Sequence, residues 1–212
     1  MVIIGLDEAN YSPSMAGPCV CAAYILRPTR TTLPSNIRDS KAINSAARVE
    51  LFNSLTQIGH YVISLAMPSD IERFGVYRAR NQAAAEAVRR IIQSLPRRLR
   101  TGKIELHADE SLAKPFSSEF HPNFSVKSIT GGDAWVWAAS IHAKVTADAL
   151  FHGFAALYPD FAPNFSKGLI RAHDKKLLNT VGPTPFHRRR GYANNWWKKV
   201  FNTSKPSKKR KK

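Results

Sequence analysis

Apolar and polar positions alternate in two rhythms along the chain. Val2 to Leu6 is a short apolar run that stops at Asp7 and Glu8, and Pro18 to Leu26 is a second run rich in small and β-branched residues. Both read as strands, with Ser12, Pro13, Ser14 and Gly17 as the turn between them. Residues 27 to 44 read as a polar loop. Ser45 is then expected to cap a helix running to about Gln57, with Val49, Leu51, Phe52 and Leu55 on its apolar face. Tyr61 to Ala66 alternates as a strand does. Pro68 to Phe74 predicts a short helix and Arg78 to Leu95 a longer one, ended by Pro96.

Lys103 to Ala108 and Phe124 to Ile129 predict two more strands, the first meeting Asp109 and the second followed by Gly131 and Gly132. A long alanine-rich helix is predicted from Asp133 to about Leu157, then a short helix near His173 to Asn179. Strands that come first as a pair and then alternate with helices predict an α/β or mixed-sheet domain. The expected organisation is a core over 1–158, a helical and basic extension over 159–201, and a solvated basic tail over 202–212.

Charge adds the first hint of a partner. Thirty-two Lys and Arg stand against 15 Asp and Glu in 212 residues, a net charge of +17. Lys205 to Lys212 contributes six of those positive charges, so the remainder still carries 17 − 6 = +11. Such a field attracts polyanions, and released counterions drive the affinity. Ribosome or RNA binding without catalysis fits charge equally well. The tail also has the composition of a nuclear-import signal. No apolar run approaches membrane-spanning length, and the first residues lack the pattern of a signal peptide, so a cytoplasmic protein is expected, or a nuclear one in a eukaryotic host. Cys19 and Cys21, two apart on a strand, share a face and give no disulfide framework.

The acids that end strands carry the candidate chemistry. Asp7 and Glu8 close the first strand, Asp109 closes the 103–108 strand, and Asp133 opens the long helix. If the strands are neighbours, four carboxylates crowd one edge, raise one another's pKa and are relieved by a bound cation. Oxygen donors without paired Cys or His favour Mg²⁺ or Mn²⁺. Two such ions are the usual device for phosphodiester hydrolysis. Each acid also has a plain alternative: Asp133 as a helix cap, Asp109 as part of a turn, Asp7 and Glu8 as a solvated strand end.

Ordered motifs sharpen the picture. Ile4-Gly5-Leu6-Asp7-Glu8-Ala9 is followed by Ala16-Gly17-Pro18, then Asp39-Ser40-Lys41, Asn81 and Asp109. Gly132-Asp133 precedes Ala138-Ala139-Ser140-Ile141-His142-Ala143-Lys144-Val145-Thr146-Ala147-Asp148, and Lys167-Gly168, His173 and Thr184 to Arg188 follow. Over residues 2 to 192 the chain resembles the type II ribonucleases H.

The resemblance implies a ribonuclease H-like mixed five-stranded sheet flanked by helices, with a C-terminal helical extension. It implies Asp7, Glu8, Asp109 and Asp133 as ligands of Mg²⁺ or Mn²⁺, and a monomer that cuts the RNA strand of RNA–DNA hybrids to leave 5′-phosphate and 3′-hydroxyl ends. Expected substrate contacts are Asn10, Tyr11, Ser12, Lys41, Asn81, Lys144, Lys167, His187 and Arg188. Two departures stand out. Asn10-Tyr11-Ser12 replaces the family's Gly-Arg-Gly, and Leu169 stands where the family has a Tyr that stacks on a deoxyribose. These predict weakened incision at a single embedded ribonucleotide. Two alternatives stay open: a nucleic-acid-binding protein that kept the fold with little turnover, and a structure-specific DNA nuclease of the same superfamily. The segment from Tyr192 to Phe201 interleaves aromatics with lysines and is expected to cover the sheet or stack bases.

Overall fold

The computed structural model describes residues 1–11, 16–29, 32–116, 120–164 and 172–188. Five strands form one sheet in the order β3-β2-β1-β4-β5: β1 (Val2–Ala9), β2 (Cys19–Leu26), β3 (Gly59–Ala66), β4 (Ile104–Asp109) and β5 (Phe124–Ile129). The first three pair antiparallel, while β4 runs parallel to β1 and to β5. The predicted mixed sheet is therefore present. The centre is a β1–β4 pair whose C-terminal ends point the same way, with Gly5 opposite His107. Asp7 and Asp109 thus reach the same edge.

Strand parity sorts side chains onto two faces. Ile4, Leu6, Cys19, Cys21, Ile104 and Leu106 join α3 (Val76–Ser94) in one core, beside α2 (Pro68–Phe74). Ala9, Val20, Ala22 and Tyr24 join α1 (Ser45–Ile58) and α6 (Ala134–Leu157) in the other. Alanines at 138, 139 and 143 are fully buried, which lets α6 lie close on the sheet. The closest approach is at Gly5. A Cβ there would stand 1.9 Å from the Trp135 carbonyl oxygen, so only glycine admits the first turn of α6.

Several boundaries differ from expectation. Asn44, rather than Ser45, caps α1, because its side chain accepts the Ala47 N–H. Asp109 lies within β4 and also caps a four-residue helix, α5 (Glu110–Ala113), which follows α4 (Arg97–Arg100). These short helices are too brief for periodicity to reveal. After α6 come a 3-10 turn at Pro159–Asn164 and α7 (Ala172–Val181). Residues 189–212, with the aromatic-basic segment and the tail, lie outside the described residues.

Candidate active site

Asp7, Glu8 and Asp109 each offer a carboxylate oxygen within 4.8 Å of the others. Adjacent strand residues point to opposite faces, so Asp7 faces α6 and Glu8 faces α3. The Glu8 amide and the Ser140 hydroxyl of α6 lie where they favour the charged form of Asp7. Ser140 also shares a 2.7 Å hydrogen bond with Ser40, which ties the Asp39-Ser40-Lys41 segment to the same spot. Asp109 Oδ1 accepts Leu112 N–H and Ser111 Oγ–H, each at 2.9 Å. Helix capping therefore aims that carboxylate.

Arginine 80 is the residue that sequence reasoning missed. It lies in α3 with no exposed surface. Its Nη1 is 3.8 Å from Glu8 Oε1 and donates to Ser111 Oγ at 3.0 Å; Nη2 donates to the Ser111 carbonyl at 2.9 Å. Asn81 Oδ1 accepts from Nε and Nη2. The rings of Tyr11 and Tyr77 lie 4.1 and 4.9 Å from the guanidinium carbon. One guanidinium thus touches Glu8, reaches Asp109 through Ser111, and occupies both Tyr11 and Asn81. An arginine amid helix alanines carries no local signal of this.

The electrostatics suit a cation. Burial pushes Asp7 up to about 6. Burial first, then the charges of Asp7 and Asp109, push Glu8 up to about 8, with Arg80 and Lys41 opposing. Glu8 Oε2 is buried and has no hydrogen-bond partner among the described residues. An orphaned carboxylate oxygen among hard oxygen donors fits a divalent ion.

Asp133 lies outside this 4.8 Å group. Its Oδ1 accepts Trp135 N–H at 2.8 Å and Val136 N–H at 3.4 Å. Its Oδ2 lies 3.1 Å from His107 Nδ1, and His107 Nε2 lies 2.8 Å from Glu105 Oε1. The capping alternative is thus realised, on the α6 turn that packs against Gly5.

The expected substrate contacts divide. Lys41 is exposed, and its charge acts on Asp7 and Glu8. Lys144 is paired with Asp148 one turn along α6. Asn10 takes a left-handed backbone at φ 63° and donates to the carbonyls of Ala16 at 3.0 Å and Pro18 at 2.7 Å. His187 and Arg188 are both buried. Burial also drives His187 down to about 4, so it is neutral. Arg188 donates to the carbonyls of Gly17 and Asn10, each at 2.7 Å, and so braces the loop that follows β1. Ser12, Lys167 and Leu169 lie outside the described residues.

Comparison with known proteins agrees with this geometry. The family model described as Ribonuclease HII matches residues 4–190. A Ribonuclease HII from Novosphingobium aromaticivorans is 32% identical over 89% of this chain and 94% of its own length. One from Azorhizobium caulinodans is 33% identical over 88% of this chain, but the match spans only 66% of that longer protein. Among solved structures, the ribonuclease H2 from Pyrococcus horikoshii superposes with a TM-score of 0.71 at 21% identity, over 96% of this chain and 98% of that one. The structure of Bst-RNase HIII in complex with Mn²⁺ gives 0.64 at 17% identity, over 97% of this chain and 70% of that one. The fold, the acidic edge and the matched span lead to one conclusion: the chain belongs to the ribonuclease HII family of metal-dependent endonucleases.

Proposed function

We propose that this protein, acting as a cytoplasmic monomer, hydrolyses the RNA strand of RNA–DNA hybrids and leaves 5′-phosphate and 3′-hydroxyl ends. Asp7, Glu8 and Asp109, with Asp133 beside them, would hold two Mg²⁺ or Mn²⁺ ions. The observation that carries this reading is the convergence of three carboxylates within 4.8 Å, one of them Glu8, whose buried Oε2 has no hydrogen-bond partner among the described residues. When bound, such ions activate an attacking water and stabilise the leaving oxygen.

The chain's own contribution is orientation. Ser111 with the Leu112 amide fixes Asp109, and the Ser140 hydroxyl and the Glu8 amide favour the charged form of Asp7. Arg80 holds Glu8 without closing off Oε2. Preset ligands need no reorganisation as charge builds in the transition state. The exposed Lys41 ammonium can meet a phosphate next to the acids. The names of the relatives and the +17 charge support a polyanionic substrate.

Cleavage of a labelled RNA–DNA hybrid, duplex DNA and a four-way junction with Mg²⁺ or Mn²⁺ tests the proposal. Hybrid-selective products with 5′-phosphates are expected, and loss of them in Asp7→Asn. Full activity in Asp7→Asn would refute the metal cluster. Preference for the junction would move the substrate assignment.

A further inference from the structure

Arg80 places a guanidinium charge with no exposed surface beside Glu8 and one hydroxyl away from Asp109. Its Nη1 stands 3.8 Å from Glu8 Oε1, beyond hydrogen-bond reach. Its four hydrogen bonds go elsewhere: two to Asn81 Oδ1, and one each to the Ser111 hydroxyl and carbonyl. The Tyr11 and Tyr77 rings lie 4.1 and 4.9 Å from the guanidinium carbon. These contacts keep the charge in place whether or not Glu8 takes up a cation.

Any ion ligated by Glu8 shares that carboxylate with Arg80. The two positive charges repel, and burial removes the solvent that would screen them. A doubly charged ion feels this field twice as strongly as a proton does, so removing the guanidinium favours the ion. The same side chain also sets geometry. Ser111 Oγ accepts from Nη1 at 3.0 Å and donates to Asp109 Oδ1 at 2.9 Å, so Arg80 aligns the hydroxyl that aims Asp109. Lys41 differs: its charge also acts on Asp7 and Glu8, but it is exposed and solvent screens it.

We propose that Arg80 is a positioning residue that holds down the affinity of the acidic trio for divalent cations while it orients Asp109 through Ser111. The inference rests on the metal-dependent reading of the site and adds to it the residue that sets how tightly an ion is held. The arrangement favours preset ligand geometry over tight capture of the ion.

The test compares the unmodified chain with Arg80→Gln, Arg80→Lys and Lys41→Ala at one pH and one salt concentration, well below the lowest Tm of the set. The Kd for Mn²⁺ is read without nucleic acid, from the electron paramagnetic resonance of the free ion. Rates are read on a labelled RNA–DNA hybrid at saturating Mn²⁺. Arg80→Gln should lower Kd about tenfold. It should also lower kcat about tenfold with KM unchanged. Arg80→Lys keeps the charge but not the paired bonds to Ser111 and Asn81, so Kd should hold while kcat falls. Lys41→Ala should tighten Mn²⁺ binding far less than Arg80→Gln does. Damage to a site loosens an ion and does not tighten it, so an unchanged or raised Kd in Arg80→Gln would overturn the inference. Tightening in Arg80→Lys as large as in Arg80→Gln would do the same, since packing rather than charge would then set Kd. If the unmodified chain binds Mn²⁺ and cuts the hybrid while Arg80→Gln leaves Kd unchanged, the inference fails and the proposed function stands. If Arg80→Gln tightens Mn²⁺ binding but the unmodified chain does not cut the hybrid, the substrate assignment fails and the role of Arg80 stands.

Discussion

Glu8 and Asp133, two of the four candidate acids, are in opposite states. Asp133 uses both oxygens: one caps α6 and the other meets His107. Glu8 is half satisfied, with Oε1 3.8 Å from a buried guanidinium and Oε2 buried without a partner among the described residues. The difference separates a carboxylate that holds the fold from one held by it. A cation has a reason to settle at Glu8, and a rigid helix end is the reason Asp133 sits where it does.

The strongest break in that comparison comes from the trio. Asp7→Asn and Glu8→Gln should each cut metal-dependent cleavage on the order of 10³-fold, measured by single-turnover kinetics. Asp7→Asn should not lower Tm in EDTA. Both folded pKa values lie above the ordinary carboxylate range, at about 6 and about 8. A raised carboxyl contributes stability below its unfolded value, near 4, that is lost as pH rises through the folded value. The charged forms therefore burden the metal-free fold at pH 8. By the same sign, Mn²⁺ should raise the Tm of the unmodified chain more at pH 8 than at pH 5. An equal rise at both would sink the cation account of the raised pKa values.

Next in size is Arg80→Met. It leaves the Ser111 carbonyl without that donor and, above about pH 8 where Glu8 ionises, strips Glu8 of its opposite charge, at a cost of about 3 kcal/mol in chemical denaturation at pH 9. Adding Glu8→Gln should return part of that, because no charge is then left stranded. A double-mutant cycle with no coupling would show that the 3.8 Å contact is incidental.

These two cases mark how much the sequence could show. Asp7, Glu8 and Asp109 were legible because each follows an apolar run, and strand ends converge when the strands pair. Asp133 was legible as a cap from its place before a periodic segment. The mixed five-stranded sheet came through the family resemblance, and its strand order was not legible, since pairing partners leave no mark in a single chain. Arg80, Ser111 and Ser140 were not legible as site residues. Ser40 and Ser140 are a hundred positions apart, and the Arg80–Ser111 bonds span 31. The burial of His187 and Arg188 was not legible for the complementary reason: nothing local to the run marks that Arg188 donates to the Gly17 carbonyl, 171 positions away.

The apolar flank of α6 gives a third, smaller effect. His142 is fully buried among the rings of Tyr24, Phe52 and Tyr61, and burial lowers it to about 4. A base lowered on folding contributes stability that is present above its unfolded value, near 6.5, and lost as pH falls toward 4. Between pH 7 and pH 5 the loss should be about 2 kcal/mol. His142→Phe should narrow the difference in denaturation midpoint between those pH values, whereas an unchanged difference would assign the acid sensitivity elsewhere.

The smallest effect returns to Asp133 and splits its two roles. Removing the cap with Asp133→Ala should cost about 1 kcal/mol, because the Trp135 and Val136 amides lose their acceptor. Asparagine keeps a capping oxygen but not the charge, so Asp133→Asn should hold Tm close to that of the unmodified chain. If Asp133 also serves the cations, Asn and Ala will both slow cleavage while only Ala melts early. If it is a cap alone, cleavage measured well below Tm will be normal in Asn, and in Ala it will fall only as far as the helix end frays. The contrast between the two isolates charge from geometry at an acid whose placement the helix cap already explains.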